Sequence, residues 1–408
     1  MFFAGARGRS GIEFGSRRGR AVGTTVAVLL ALAGAAILPR LPADWYLKVL
    51  VPGWMPHQLV KLIEYSNDLQ IALVADRPTE PHARIALVLI RDETIADLPY
   101  VSPIDRKRLT DIPEAVDRLG ARVIGLDLLL DQATEPDKDR AFAASLQRRR
   151  ATVVLGGADE RTPLIERRRD WQTRFLTETG LPFGFFNLRY DVQEAGQGNV
   201  VRARAARHPG STFHLAFAEA LAKAAGVSSW PEARRIPWLR EPRGGGDTFL
   251  TLDADSVLAA DRDPDGALSR AIEAQLHNRV VLIGADVDGR DRHPTPLTRV
   301  TGEEMLGVAV HAQVLAGLLD GRALEEIGTV PAAMLAFAAT LLGALAGWFA
   351  ARRRFVLMAL LALGTGLVGA VSAIVLWQSQ AIVPLPALVA ALIGAAIVAR
   401  VLRSAIGS

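Results

Sequence analysis

The chain has 408 residues, a formal net charge of +4 and no cysteine, and 50% of its residues are hydrophobic. The length allows more than one domain, and the lack of cysteine excludes a disulfide framework, thiol catalysis and cysteine-based metal sites. The hydrophobic residues are concentrated in a few long stretches, which predicts a membrane protein.

The positive charge lies at the two ends of the chain. Residues 1–20 contain five Arg and one Glu, and residues 351–408 contain five Arg and no acid, which leaves 37 basic and 42 acidic side chains between these ends. The central part therefore has a net charge of −5. A nucleic-acid partner is not expected, because no basic surface remains for it.

Four uncharged stretches are long enough to cross a bilayer, since a hydrocarbon core about 30 Å thick needs about 20 helical residues. The predicted segments are a basic tail (1–20), a first span (21–38), a large domain (39–328), three further spans (329–351, 355–377 and 382–401) and a short tail (402–408). A cleaved signal peptide is the alternative for the first span, because a basic segment precedes it and Ala33-Gly34-Ala35 resembles a cleavage site.

Arginine-rich segments flank the spans on one side. They lie at residues 1–20, at residues 352–354 and at Arg400 and Arg403, whereas the turn at residues 378–380 is uncharged. An excess of Arg and Lys marks the cytoplasmic side of a membrane protein. Both termini are therefore expected in the cytoplasm, and the large domain is expected to be exported.

Strand and helix patterns alternate within the large domain, after a mostly helical lead-in at residues 45–75. The main strand candidates are residues 84–90, 122–126, 152–155 and 280–283, with shorter ones at 183–186, 200–204 and 248–252. The helix candidates are residues 105–119, 137–148, 212–225 and 307–319. This alternation is typical of right-handed βαβ crossovers, so we predict an α/β domain with a mainly parallel sheet.

Ionisable side chains follow the carboxyl ends of the predicted strands. They are Arg91, Asp92, Asp127, Asp131, Asp286, Asp288, Asp291 and His293. Because these strand ends meet at one edge of a parallel sheet, the eight side chains form a candidate pocket for a divalent cation or a cationic solute. The alternative is that Asp127 caps the following helix or bonds a neighbouring loop, and that Arg91 and Arg292 only pair with nearby acids.

One segment resembles half of a calcium-binding loop. Asp261, Asp263 and Asp265 occupy its first, third and fifth positions and Gly266 its sixth, but Ile272 replaces the expected glutamate. A plain turn before a helix explains the segment equally well. It is therefore only a weak metal candidate.

Catalytic signatures are missing from the sequence. Seven histidines without HxxxH spacing give no zinc signature, and no Gly-x-Ser-x-Gly segment is present. His311, in the last predicted helix before the second span, is expected to be a packed core residue. Neither an enzymatic activity nor a cofactor is predicted.

Several segments resemble, in order, the CHASE type 2 family of bacterial sensory extracellular domains. They are RIALVLIRDETI, SPIDRKRLTDI, LGARVIGLDLLLDQ, GFFNLRYD, NVVRA, STFHLAFAEALAKAAG, NRVVLIGADVDGRDRHPTPL and GVAVHAQVLAGLLDGR. The resemblance covers residues 45–325. One span before this region and three after it are also typical of the family.

The resemblance implies a periplasmic sensory module in a bacterial inner membrane, which signals to a cytoplasmic cyclase or kinase. Two departures matter. The family often has an acid where this chain has Arg91, and only five residues follow Arg403, so the effector is expected to be a separate protein.

The first functional hypothesis is thus a sensor for an unknown small-molecule ligand or a partner, expected to form a homodimer by analogy with such receptors. Glycines predict close helix contacts within the spans: Gly343 and Gly347 in the second span, and Gly364, Gly366 and Gly369 in the third. The alternatives are a membrane-anchored hydrolase or metal-dependent enzyme, and a structural subunit of an envelope complex.

Overall fold

The computed structural model describes residues 17–37, 56–98, 102–191, 200–350, 353–379 and 381–406. The helices are α1 (Arg17–Ile37), α2 (Pro56–Val74), α3 (Asp92–Ile95), α4 (Arg106–Arg118), α5 (Pro136–Gln147), α6 (Glu166–Thr179), α7 (Phe217–Ala224), α8 (Ala254–Arg262), α9 (Ala267–Leu276), α10 (Thr298–Thr301), α11 (Gly307–Asp320), α12 (Thr329–Phe349), α13 (Arg354–Ser379) and α14 (Leu385–Ile406). The strands are β1 (Ile85–Arg91), β2 (Val123–Asp127), β3 (Thr152–Gly157), β4 (Phe183–Phe185), β5 (Arg189–Asp191), β6 (Val200–Ala203), β7 (Leu250–Asp253), β8 (Val280–Asp286), β9 (Arg292–His293), β10 (Met305–Leu306), β11 (Glu325–Glu326) and β12 (Ala381–Ile382).

The chain forms two compact units, one of which is Ile71–Leu324. Six strands of this unit form a parallel sheet in the order β4-β3-β2-β8-β1-β7, which confirms the predicted mainly parallel α/β architecture. Although β8 is the last of the six in sequence, it lies between β1 and β2. The carboxyl ends of these three strands therefore lie side by side.

Helices cover both faces of the sheet, which explains why its central strands are almost wholly apolar. On one face, Val88 and Ile283 belong to a core that also contains Ile112 of α4 and side chains of α8 and α9. On the other face, α11 packs on β1 and β8, and α7 packs on β2, β3 and β4. Gly284 lets α11 approach β8 closely, because a Cβ there would come within 2.7 Å of the Val308 side chain.

The helices α6 and α8 were not predicted from the sequence, nor were the four-residue helices α3 and α10, and another helix was placed too early. The α6 sequence ERRRDWQTRFLTET is mostly polar, so it shows no continuous apolar stripe, and its buried face includes Phe175, Leu176 and two polar side chains. The helix predicted at residues 212–225 begins only at Phe217.

The second unit contains the described residues of Met1–Gln70 and Glu325–Ser408. Its helices α12, α13 and α14 are long and apolar enough to cross a membrane. The apolar part of α1, Ala21–Ile37, is shorter, so the predicted first span corresponds to a shorter helix than the other three. Three predicted parts lie at least partly outside the described residues: residue 38 of the first span, residues 45–55 of the lead-in, and residues 1–16 of the basic tail.

Helix α12 is the central element of this unit, since it contacts α1, α13 and α14. Gly343 and Gly347 lie directly against the backbone carbonyl groups of Leu392 and Ala396 on α14. Small residues allow two helix backbones to approach in this way. The predicted contact role of these two glycines is therefore confirmed.

Candidate functional site

The carboxyl edge of the sheet brings three of the predicted site residues onto one face. Arg91 pairs in register with Asp286, and Asp127 pairs with Gly284. Side chains alternate between the two faces of a strand. Gly284 faces α11, and Asp286, two residues later on the same strand, faces the same side. Arg91 is the register partner of Asp286, and Asp127 is the register partner of Gly284, so both also face α11.

Asp286 is the centre of a charge network at this edge. Its Oδ2 accepts a hydrogen bond from Arg91 Nη1 at 3.2 Å, and its Oδ1 accepts one from Arg292 Nη2 at 3.0 Å. The Asp286 side chain is only 11% exposed. Arg91 Nε also donates to Asp253 at the end of β7, and this hydrogen bond raises the pKa of the Arg91 guanidinium. Arg91 and Arg292 therefore pair with nearby acids, as one part of the alternative interpretation predicted.

A second group of side chains, here called the Asp127 cluster, consists of Asp127, Tyr190, Asp291, His293 and His311. Tyr190 Oη lies 2.8 Å from His293 Nδ1, and His293 Nε2 lies 2.8 Å from Asp291 Oδ1. Asp291 has a left-handed backbone, with φ 62°. Its main-chain oxygen accepts a hydrogen bond from the main-chain nitrogen of Gly307 at the start of α11.

Asp127 and His311 form the buried part of this cluster. The two side chains are 10% and 8% exposed, and Asp127 Oδ1 lies 4.0 Å from His311 Nε2. Burial raises the pKa of Asp127 to about 8, and the nearby charge of Asp291 acts in the same direction. Burial lowers the pKa of His311 to about 4, although Asp291 opposes this shift. Both groups are therefore mainly uncharged at neutral pH.

A cavity of about 420 Å³ opens beside the charge network, between α11 and the strands β1 and β7. We call it the rim cavity. Apolar side chains, including Leu87, Leu89 and Leu306, form part of its wall. Its charged lining residues are Arg77, Arg91, Arg240, Glu241, Asp247, Asp286, Arg292, Glu303 and Glu304. A volume of this size is typical of small-molecule sites, although the nine charged residues make this wall more polar than usual.

The other predicted site residues do not line this cavity. Asp131 is buried, and its carboxylate pairs with Arg168 of α6 at 2.6 Å. The Asp92 carboxylate accepts a hydrogen bond from the main-chain nitrogen of Asp288 at 3.3 Å. The Asp288 side chain is exposed and pairs with Arg290. Asp92 and Asp288 therefore fix the loop after β8.

The weak calcium candidate does not gather its carboxylates. Asp261 lies in the last turn of α8 and pairs with Arg118 through two hydrogen bonds of 2.5 Å. Asp263 and Asp265 lie in the turn that precedes α9. In the described ranges, no three His, Asp or Glu side chains are arranged as ligands of one metal ion, at this turn or at the sheet edge.

Several residues of the site were missed from the sequence. Asp253 is the last residue of β7, as Asp286 is of β8, so the same reasoning about strand ends could have identified it. Arg240, Glu303 and Glu304 belong to irregular segments, and no sequence pattern relates these segments to the sheet. Tyr190 was also missed, because β5 is only three residues long.

The wall formed by Arg240 depends on Gln313 of α11. The fully buried Gln313 amide accepts a hydrogen bond from the main-chain nitrogen of Leu239 and donates one to its oxygen, both at 2.8 Å. Replacing Gln313 by leucine leaves both backbone groups buried without partners, at about 1–3 kcal/mol each. We expect Gln313→Leu to lower the free energy of unfolding by about 4 kcal/mol in urea unfolding of the full chain. Gln275→Leu, on the exposed face of α9, should change it by less than about 0.5 kcal/mol; equal effects would contradict the role of Gln313.

Comparison with known proteins gave one family. The family model described as the CHASE2 domain matches residues 47–350. No curated protein and no solved structure matched the chain. The matched range is more than half of the chain, and it contains the whole sheet, the rim cavity and the Asp127 cluster.

Proposed function

Because the chain belongs to the CHASE2 domain family, we propose that it detects a small solute with an extracytoplasmic domain and relays a signal through its spans to a separate cytoplasmic effector. CHASE2 domains are sensory extracellular domains, and the three apolar helices fit a membrane anchor. The observation that carries the solute-binding proposal is the rim cavity at the carboxyl edge of the parallel sheet. In open α/β sheets, this edge is where ligands bind.

The lining of the rim cavity favours a solute that combines an apolar part with charged groups. Glu303 and Glu304 are exposed, and within the described part of the chain no ion pair involves them or Arg240. Asp286, in contrast, is already paired with two arginines. A solute with both an amino and a carboxylate group would find partners of both signs here, and its apolar part would contact Leu87 and Leu89.

Helix α11, which lines the cavity, is the last helix before the C-terminal spans in the sequence. Leu306, Ala309 and Gln313, at its start and along its first half, line the cavity. In the sequence, only eight residues separate the end of α11 at Asp320 from the start of α12 at Thr329. A solute that changes the position of α11 therefore has a short covalent path to the first C-terminal span.

The arginine-rich flanks support the proposed orientation, with both termini in the cytoplasm and the domain in the periplasm of a bacterial cell. The effector would be a cyclase or a kinase on a separate chain. A homodimer is proposed by analogy with receptors of this type. Neither a membrane-anchored hydrolase nor a structural envelope subunit is favoured by a specific contact in the described residues.

The ligand site can be tested by thermal unfolding of the full chain in detergent micelles, with a panel of amino acids, short peptides and carboxylic acids. We expect at least one of them to raise the melting temperature of the wild type, and Asp286→Ala to abolish this rise. Loss of Asp286 releases Arg91 and Arg292 from their shared partner and changes the cavity wall. A solute at 100 times its Kd stabilises the folded state by about 2.7 kcal/mol.

Asp288→Ala is the matched control, because Asp288 follows the same strand but does not line the rim cavity. It should keep the full ligand-dependent rise. An Asp286→Ala protein that is folded and still fully stabilised would place the ligand elsewhere. Stabilisation lost equally in both variants would show that the loop, and not the cavity wall, is responsible.

A further inference from the structure

The Asp127 cluster is separate from the proposed solute site, since none of its five side chains lines the rim cavity. We propose that this cluster is a proton-binding site, through which the domain also responds to the pH of its compartment. The exchangeable proton is held by the carboxyl group of Asp127. Its loss would alter the start of α11, the same helix that lines the cavity.

The carboxyl group of Asp127 has an environment that disfavours its ionised form. The Asp127 side chain is 10% exposed, and no hydrogen bond reaches its carboxyl group from any described residue. His311 Nε2 lies 4.0 Å from Asp127 Oδ1, which is too long for a hydrogen bond. A mostly buried carboxylate without a hydrogen-bond donor keeps its proton to a higher pH than an exposed aspartate.

The neighbouring elements supply few groups that could offset a charge on Asp127. The groups that face the pair are His311 on α11, Asp291 on the loop after β8, His293 on β9, and the Phe186 backbone after β4. The Phe217 ring of α7 contacts His311 edge-on at 5.5 Å, and Tyr190 of β5 is linked through His293. This set of described groups contains no arginine or lysine. Ionised Asp127 would therefore meet the negative charge of Asp291, and the basic groups beside the two carboxylates are the histidines His293 and His311.

The position of Asp291 explains how a charge on Asp127 would reach α11. Its carboxylate lies directly against Gly307, the first residue of α11, where an added Cβ would overlap it. Its main-chain oxygen also accepts the Gly307 N–H. When Asp127 releases its proton to water, repulsion between the two carboxylates acts on this junction. The first turn of α11 should therefore become less stable.

Infrared spectroscopy of the full chain in lipid nanodiscs tests the site directly. Between pH 6 and pH 9, the wild type should lose the band of a protonated carboxyl group, with a midpoint near pH 8. Asp127→Asn should lack this change, because the amide cannot ionise. Asp97→Asn, an exposed acid that pairs with Arg108, is the control and should titrate as the wild type does.

Hydrogen exchange tests the coupling to α11 on the same samples. After correction for the intrinsic effect of pH, exchange of the peptide that contains Gly307 should rise by at least about fivefold from pH 6 to pH 9 in the wild type. It should not rise in Asp127→Asn. His311→Gln keeps Asp127 and should retain the infrared change. This control shows whether a substitution within the cluster abolishes the change without removing the carboxyl group. The proposal would be overturned if Asp127→Asn lost the same infrared band between pH 6 and pH 9, or if its hydrogen exchange rose as much as that of the wild type.

Discussion

Replacing Gly343 by leucine should disrupt the packing of α12 against α14. A Cβ at Gly343 would overlap the backbone carbonyl oxygen of Leu392, and the same holds for Gly347 and Ala396. A backbone atom cannot rotate away as a side chain can, so the two helices must separate. We expect Gly343→Leu to destabilise this unit by about 3 kcal/mol or more. Thermal unfolding of the full chain in detergent measures the effect.

Gly366→Leu provides a matched control in a neighbouring span. Gly366 lies in the middle of α13, and a Cβ there would have no atom within 4 Å. The two variants change the apolar character of a span by the same amount, so only the contact differs. A Gly366→Leu chain as unstable as Gly343→Leu would show that side-chain size in the spans, and not the contact with α14, determines stability.

The spans and the sheet could be predicted from the sequence because their patterns are local. Uncharged stretches of span length and short β-branched runs are visible without knowledge of the rest of the chain. The roles of the small residues in the spans were predictable only in part. Gly343 and Gly347 lie four residues apart and do form a contact, whereas Gly366 and Gly369 were included by the same reasoning and have no neighbour within 4 Å of an added Cβ.

The candidate site was predictable where it depends on strand ends, and not where it depends on long-range order. Arg91 and Asp286 meet because β8 lies beside β1, and no sequence pattern shows that the last strand enters the middle of the sheet. Asp131 was expected at the same edge, but it is held by Arg168 of α6, a helix whose polar sequence gave no signal. The walls of the rim cavity come from irregular segments that are fixed by distant contacts such as Gln313 with Leu239.

The burial of Asp127 could not be predicted either, because it depends on the helix that covers that face. From the sequence, an aspartate at a strand end is as likely to be solvated as buried. Helix α11 places His311 beside it and leaves it without a hydrogen-bond donor in the described structure. A residue that was predicted to be one of several acidic ligands thus lies in a mostly buried position, where burial raises its pKa to about 8.

Asp127→Asn should therefore change how stability depends on pH. The pKa of Asp127 is about 8 in the folded chain, against an ordinary value of 3.8, so the free energy of unfolding falls as pH rises from 3.8 to 8. The pKa of His311 is about 4, against 6.5, so the free energy of unfolding falls as pH decreases from 6.5 to 4. The two effects oppose each other below pH 6.5, and only that of Asp127 acts between pH 6.5 and 8.

Over this upper interval, the wild type should lose about 2 kcal/mol of stability through Asp127, since each pH unit is worth about 1.4 kcal/mol. The asparagine variant should not show this loss, because its side chain has no proton to release. Urea unfolding of the full chain in detergent, read by pulse proteolysis at pH 6.5 and pH 8, measures both slopes. Asp97→Asn should follow the wild type. A wild-type slope that persists in Asp127→Asn would show that another group causes it, and that Asp127 does not take up a proton on folding.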